Sequence, residues 1–297
     1  MFSFKCRNCG GEMTVSRMGD LACPYCGSRN FFSDRELQEY KAFRLQMLEY
    51  LCAIAEDSED TQSREKLWGH AETAEFTEKD GTDITVQYLY VGNEDGIRMY
   101  SARNNVIYIY PSSRTHLADA ATASLSGMSF PQADMKGLER CFPTLVGRYE
   151  LKDGSIMMVY AKAEDLYPLA VFGNLSAKHV EWIISRLENI ACVLQYNDMS
   201  HGGISPESVF INPKTHEAAL LGGWHKANLH GYASEKDLQD IRITAERLLG
   251  EGYGDAPEPL IRFLQGKPAK DAYDDFAKWD EVIERELGGR HFTKFEA

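Results

Sequence analysis

Apolar residues along the chain change period several times. Val180, Ile183, Ile184, Leu187, Ile190, Ala191 and Leu194 recur at intervals of three and four, which predicts an amphipathic helix. The stretches "DITVQYLYVG", "GIRMYSAR" and "NVIYIYP" read as strands instead, rich in β-branched and aromatic residues and separated by "NED" and "NN" turn signals. "GRYEL" and "SIMMVYA" follow as a further hairpin around "KDG". Two more helices are expected near the carboxyl end. One lies in "KDLQDIRITAERLLG"; the other carries Phe276, Trp279, Val282, Ile283 and Leu287 on one face and stops at Gly288-Gly289. Ahead of the strands, Ser33 or Asp34 is an N-cap for a helix whose stripe holds Leu37, Tyr40, Met47, Leu48, Leu51 and Ile54, interrupted by Arg44. The acidic "EDSEDTQSREK" after it reads as a solvated linker. Five strands followed by helices predict an α+β chain with a sheet-plus-helix lobe joined to a helical one.

Cysteine spacing adds a metal site. In "CRNCGGEMTVSRMGDLACPYCG", Cys6 and Cys9 form one pair and Cys23 and Cys26 another with the same two-residue gap. Such a gap lets a tight turn aim both thiolates at one ion while backbone amides point at the sulfurs. Four thiolates complete a closed tetrahedral site for structural zinc. About 30 residues bury too little apolar surface to fold alone, so metal binding belongs to the folding of this module. The segment resembles a zinc ribbon over roughly residues 4–32. Its basic residues are few (Lys5, Arg7, Arg17, Arg29), which favours a protein-contact or stabilising role over nucleic-acid binding.

From about residue 82 onward the order of elements, together with "HGGISPESVFIN" after the long helix, resembles the protein kinase fold. That family carries His-Arg-Asp-Leu-Lys-Pro-Glu-Asn at this place, then Asp-Phe-Gly, then a helix opened by a buried Asp. His201, Ile204, Pro206, Glu207, Val209, Phe210 and Ile211 match the framework positions, and Asp237 matches the buried Asp that anchors the loop. The reactive positions do not match. Gly203 stands at the base Asp, Gly202 at the Arg, Ser205 at the Lys and Ser208 at the metal-binding Asn. Gly222, Gly223 and Trp224 stand at Asp-Phe-Gly, and "VIYIYP" offers no Lys on the third strand. The loop "VGNEDGIRMY" keeps Gly92 and Gly96 but puts Glu94 and Asp95 where the resemblance would place phosphates. Phosphoryl transfer rests on positioning, metal ions and charge stabilisation, and all three are deprived of residues here. The segment from Trp224 to Asp237 also lacks Ala-Pro-Glu and is short for a peptide-substrate platform. A pseudokinase is implied, with His201, Gly203, Ser208, Gly222 and Asp237 structural and with no strong ATP binding.

Composition narrows the partners. A net charge of −13 and a pI near 5.1 oppose broad binding to phosphate backbones and anionic membranes. No apolar run is long enough to span a bilayer, and the first residues lack the build of a secretory signal. Paired cysteines suit a reducing compartment, so the expected location is cytoplasmic. The expected organisation is a zinc ribbon (1–32), a linking helix and acidic linker (33–60), a kinase-like N-lobe (61–163) and a C-lobe (164–297). The function this predicts is a non-catalytic scaffold that binds another protein. An atypical nucleotide-binding enzyme and a zinc-ribbon nucleic-acid regulator are the alternatives.

Overall fold

The computed structural model describes residues 2–6, 8, 12–15, 20–31, 61–130, 137–229 and 234–291. The linking helix expected within 33–60, together with Cys9, lies outside them. The amino-terminal module is two small hairpins: β1 (Phe2–Lys5) with β2 (Glu12–Val15), and β3 (Asp20–Ala22) with β4 (Arg29–Phe31).

The chain then enters α1 (Thr61–Trp68). Here the expectation of a solvated linker is corrected, because its second half is helical and anchored. Leu67 is buried, and the Arg64 guanidinium grips Asp165 with two hydrogen bonds of 3.1 and 2.9 Å.

The N-lobe sheet contains the five expected strands: β6 (Asp83–Glu94), β7 (Ile97–Ala102), β8 (Asn105–Tyr110), β9 (Thr144–Glu150) and β10 (Ile156–Ala161). A sixth, β5 (Glu72–Thr77), pairs with the start of β6 and was not foreseen. The antiparallel order is β5-β6-β7-β8-β10-β9. A bulge between Tyr88 and Tyr90 bends β6, and a bridge from Glu78 to Leu151 then brings β5 round to β9. Lys79 and Lys152 amides, donating to the Glu150 and Thr77 carbonyls at 2.9 Å, close the ring. Closure encloses its own core of Val86, Tyr88, Tyr100, Ile107, Ile109 and Met157. The other face of the sheet joins the main core through Met99, Val106, Tyr108, Met158 and Tyr160. Helix α2 (Thr115–Ser126) packs there, burying Ala118, Ala121 and Ser124.

Lys162 begins the crossing between the lobes. It is buried, and its ammonium donates to the carbonyls of Arg103, Ala163 and Glu164 at 2.8–3.3 Å. Burial, only partly offset by Asp165 and Glu164, pushes its pKa down to about 7.

The C-lobe is built on α3 (Ala177–Tyr196), whose expected apolar face is fully buried. A small sheet of β11 (Tyr167–Pro168), β12 (Val209–Asn212) and β13 (Glu217–Leu220) lies at its upper end. Helices α4 (Ser234–Leu249), α5 (Glu258–Gln265) and α6 (Ala272–Glu286) complete the lobe. Two-lobed α+β architecture is therefore the fold of this chain. Among the described residues no helix is long and apolar enough to cross a membrane.

Candidate functional site

Between the lobes, Ser200 bridges to Asn228, but the loop from His201 to Ser208 is bent and cannot pair in a sheet, so its backbone needs other partners. Helix α4 supplies them from below. The buried Asp237 carboxylate accepts the His201 amide at 2.8 Å and the Gly202 amide at 2.7 Å. Thr244 donates to the Ile204 carbonyl at 3.1 Å, and Arg247 pairs with Glu207 at 2.8 Å. Burial raises the Asp237 pKa to about 6 despite the two amides, which pull it down.

His201 is wholly buried, and burial lowers its pKa to about 3, so the ring is neutral. Its Nε2 therefore donates to the Gly222 carbonyl at 2.8 Å. The ring meets Trp224 edge-on at 5.1 Å, and Trp224 meets Phe142 at 5.9 Å, a packed stack that crosses between the lobes. Trp224 also donates through Nε1 to the Leu220 carbonyl at 2.9 Å.

The glycines at the reactive positions have packing reasons of their own. A Cβ on Gly222 would lie 2.6 Å from the Tyr108 hydroxyl and 2.9 Å from the Ser208 Cα. Tyr108 extends from β8, the strand on which the kinase resemblance asks for a lysine, and its buried hydroxyl has no hydrogen-bond partner among the described residues. Burial drives its pKa far above the ordinary value. Tyr160 packs edge-on to it at 6.0 Å. A Cβ on Gly203 would meet the Lys226 Cδ at 2.8 Å, so the lysine stem crosses the place of the base Asp.

Lys226 continues across the cleft. Its ammonium lies 2.5 Å from Glu94 and 3.3 Å from Asp95. These two acids sit at the tip of the β6–β7 hairpin, where Asp95 (φ 53°) and Gly96 (φ 78°) both take left-handed backbone, as a tight two-residue turn requires. Burial disfavours the charge on Lys226, but Glu94 and Asp95 outweigh it and raise its pKa. The Asp95 carbonyl also accepts from Arg114, just ahead of α2. The hairpin that would cover phosphates is thus fastened at both sides by the chain's own cations. Lys226 was not singled out in the sequence: it lies 132 positions from Glu94, and no motif marks it. Tyr108 was legible in principle, since alternation along "VIYIYP" puts it on one face with Tyr110.

Ser208 has more to do than the sequence suggested. Its hydroxyl accepts the Ser205 amide at 2.9 Å and reaches the Gly203 carbonyl at 2.9 Å. Its own carbonyl accepts from Leu221 and Gly222 at 3.0 Å each. The Ser205 hydroxyl, by contrast, makes contacts of 3.3 and 3.5 Å.

A second candidate site is the cysteine cluster. The Cys6, Cys23 and Cys26 sulfurs lie within 4.8 Å of one another and could hold a metal ion. Cys6 and Cys26 are 3.7 Å apart, close to the roughly 3.8 Å edge of a tetrahedron with zinc–sulfur bonds of about 2.3 Å. Amides two residues on, Asn8 and Tyr25, donate to Cys6 and Cys23 at 3.4 Å each, and Asn30 donates to Cys6 at 3.3 Å. Donors gathered on sulfur favour thiolates, so these residues fit a closed structural site. Tyr25, in the turn of the second pair, accepts from Asn93 at 3.1 Å and so touches the same hairpin that carries Glu94 and Asp95.

No family model matches the sequence, and no curated protein matches it. Among solved structures the chain is similar to vaccinia related kinase 3, with a TM-score of 0.51 and 14% identity over 73% of this chain and 92% of that one. At that identity the likeness is one of fold. The chain has a protein kinase-like fold.

Proposed function

We propose that this chain is a non-catalytic, kinase-like interaction protein that carries a structural zinc ribbon and engages another protein. The observation that carries this reading is the pair of acids at the hairpin tip held by Lys226 across Gly203. An incoming triphosphate would have to break that ion pair and then face two carboxylates in a half-desolvated cleft, where repulsion is stronger than in water. Nothing at Gly203 can accept a substrate proton, and neither Gly222 nor Ser208 offers magnesium a carboxylate or amide oxygen. Room for a carboxylate at Gly222 is already filled by Tyr108 and Ser208.

What remains is the framework of the fold: Asp237 and His201 hold the loop, while Trp224, new at its position, packs between the lobes. Such retention fits a surface that must keep its shape rather than a site that must turn over. Zinc, held by Cys6, Cys23, Cys26 and the sequence-paired Cys9, would staple the ribbon, and a thiolate site of that kind suits a cytoplasmic, reducing setting. The net charge of −13 favours a protein over a nucleic acid as partner. The test is transfer of labelled γ-phosphate, with magnesium or manganese, to the chain itself and to generic protein substrates. No transfer above a no-enzyme blank is expected; transfer that disappears in Lys226→Ala would overturn the reading and make Lys226 a phosphate ligand.

A further inference from the structure

A cavity of about 460 Å3 lies behind the hinge, within the size range of small-molecule sites. It shares no residue with the hairpin latch. Its walls come from both lobes. The segment Gly137–Phe142 and the end of β10 form one side, α3 and the β12–β13 hairpin the other, and Lys162 and Ala163 the back. Leu138, Phe142, Leu166, Ile190 and Val193 make its body apolar.

Apart from Lys162 at the back, the charged lining residues lie at the rim. Arg140 reaches from the N-lobe segment and pairs with Glu217 of β13 at 3.0 Å. Arg186 reaches from α3, and its Nε donates to the His216 carbonyl at 2.8 Å. That bond fixes the guanidinium plane, while its two terminal nitrogens have no partner among the described residues. The Lys162 ammonium is turned to three hinge carbonyls and does not contribute. The rim therefore has two guanidinium groups against one carboxylate, with one planar fork open.

We infer that this cavity binds a small amphipathic monocarboxylate, its apolar body between the lobes and its carboxylate on Arg186. The fork of a guanidinium matches a planar carboxylate with two parallel hydrogen bonds. A phosphate monoester would bring a second charge toward Glu217, which disfavours it. Because both lobes line the cavity, an occupant ties the hinge region to α3.

Cys141 provides the readout. Its thiol lines the cavity, and burial holds it protonated by raising its pKa. Cys192, which does not line the cavity, serves as an internal reference. The probe is decanoate, with 1-decanol as its uncharged match, on the full chain. Alkylation of each cysteine by N-ethylmaleimide is followed by mass spectrometry, and binding is measured separately by calorimetry. Decanoate should slow alkylation of Cys141 and leave Cys192 unchanged, with one site per chain by calorimetry. Decanol and the Arg186→Gln variant should each weaken the effect about tenfold or more, with Arg186→Lys intermediate. Equal protection by decanol, full affinity in Arg186→Gln, or no calorimetric site for decanoate in the wild type each overturns the assignment. If Arg186→Gln does not fold, the comparison of decanoate with decanol on the wild type decides it.

Discussion

Replacing Gly222 by alanine puts a methyl group where the structure leaves no room. The new Cβ would stand 2.6 Å from the Tyr108 hydroxyl, 2.9 Å from the Ser208 Cα and 3.3 Å from the Ser208 Cβ. Carbon atoms pack best at about 3.5–4.0 Å, so the contact with Ser208 is too close by more than half an ångström. That atom is backbone, and its carbonyl holds the Leu221 and Gly222 amides at 3.0 Å, so it cannot retreat without lengthening both bonds. Overpacking costs about 1–3 kcal/mol, and two rigid neighbours put this site near the upper figure. At roughly 2–4 °C per kcal/mol for chains of this order, Gly222→Ala should melt about 6 °C or more below wild type. Gly222 has no positive φ, so the penalty is steric and not conformational. Gly203→Ala is the control. Its nearest neighbour, at 2.8 Å, is the flexible Lys226 stem, and displacing that costs no more than a half-exposed ion pair, about 1 kcal/mol. Tyr108→Phe in the Gly222→Ala background should recover part of the loss, because the closest atom is then gone. Melting followed by circular dichroism decides the matter. Gly222→Ala melting with the wild type, or Gly203→Ala being the worse of the two, would mean that Gly222 is not held tight by Tyr108 and Ser208.

Three further outcomes follow from the same geometry. Asp237→Ala strands the His201 and Gly202 amides, each worth about 1–3 kcal/mol when buried without an acceptor, and should lower the melting temperature by several degrees. Burial holds the folded Asp237 pKa at about 6, above its ordinary 3.8, so its stabilisation is complete below the unfolded value and is lost as pH rises through 6. The deficit of Asp237→Ala should therefore be larger at pH 5 than at pH 7, and a deficit that grows toward pH 7 would show that the two amides, and not burial, set this carboxyl's titration. Ser208→Ala should cost about 1 kcal/mol by leaving the Ser205 amide without its 2.9 Å acceptor, whereas Ser205→Ala, whose hydroxyl makes only contacts of 3.3 and 3.5 Å, should cost little. Denaturant unfolding that ranks the two serines the other way would show that the loop is held differently. Purified chain should contain about one zinc, lost in Cys6→Ser and Cys23→Ser with the kinase-like lobes still folded; elemental analysis without zinc would remove the metal assignment.

The sequence disclosed what depends on local pattern. Strands β6 to β10 and helices α3, α4 and α6 announce themselves by β-branched alternation or a wide apolar stripe. Helix α2 did not, because the face it buries is Ala118, Ala121 and Ser124, small residues that permit close approach to the Trp224–Lys226 turn but make no apolar signal. Strand β5 was hidden by its glutamates, with only Ala74 and Phe76 turned toward the barrel core. The charges of α1 suggested a linker, yet Arg64 is there to bind Asp165, a partner 101 positions away. The glycines of the loop read from sequence as lost chemistry. Only the folded chain shows Tyr108 and Lys226 lying where the missing side chains would be, since contacts between lobes leave no mark on local spacing.

The claim that the cleft is closed by the chain's own side chains is tested most directly by calorimetric titration of the full chain with Mg-ATP. With Glu94 and Asp95 held by Lys226, and with Gly222 and Ser208 unable to hold magnesium, no binding heat is expected up to millimolar nucleotide. Saturable binding with a dissociation constant in the micromolar range would contradict the account, because about 8 kcal/mol of affinity cannot be gained in a cleft that remains latched.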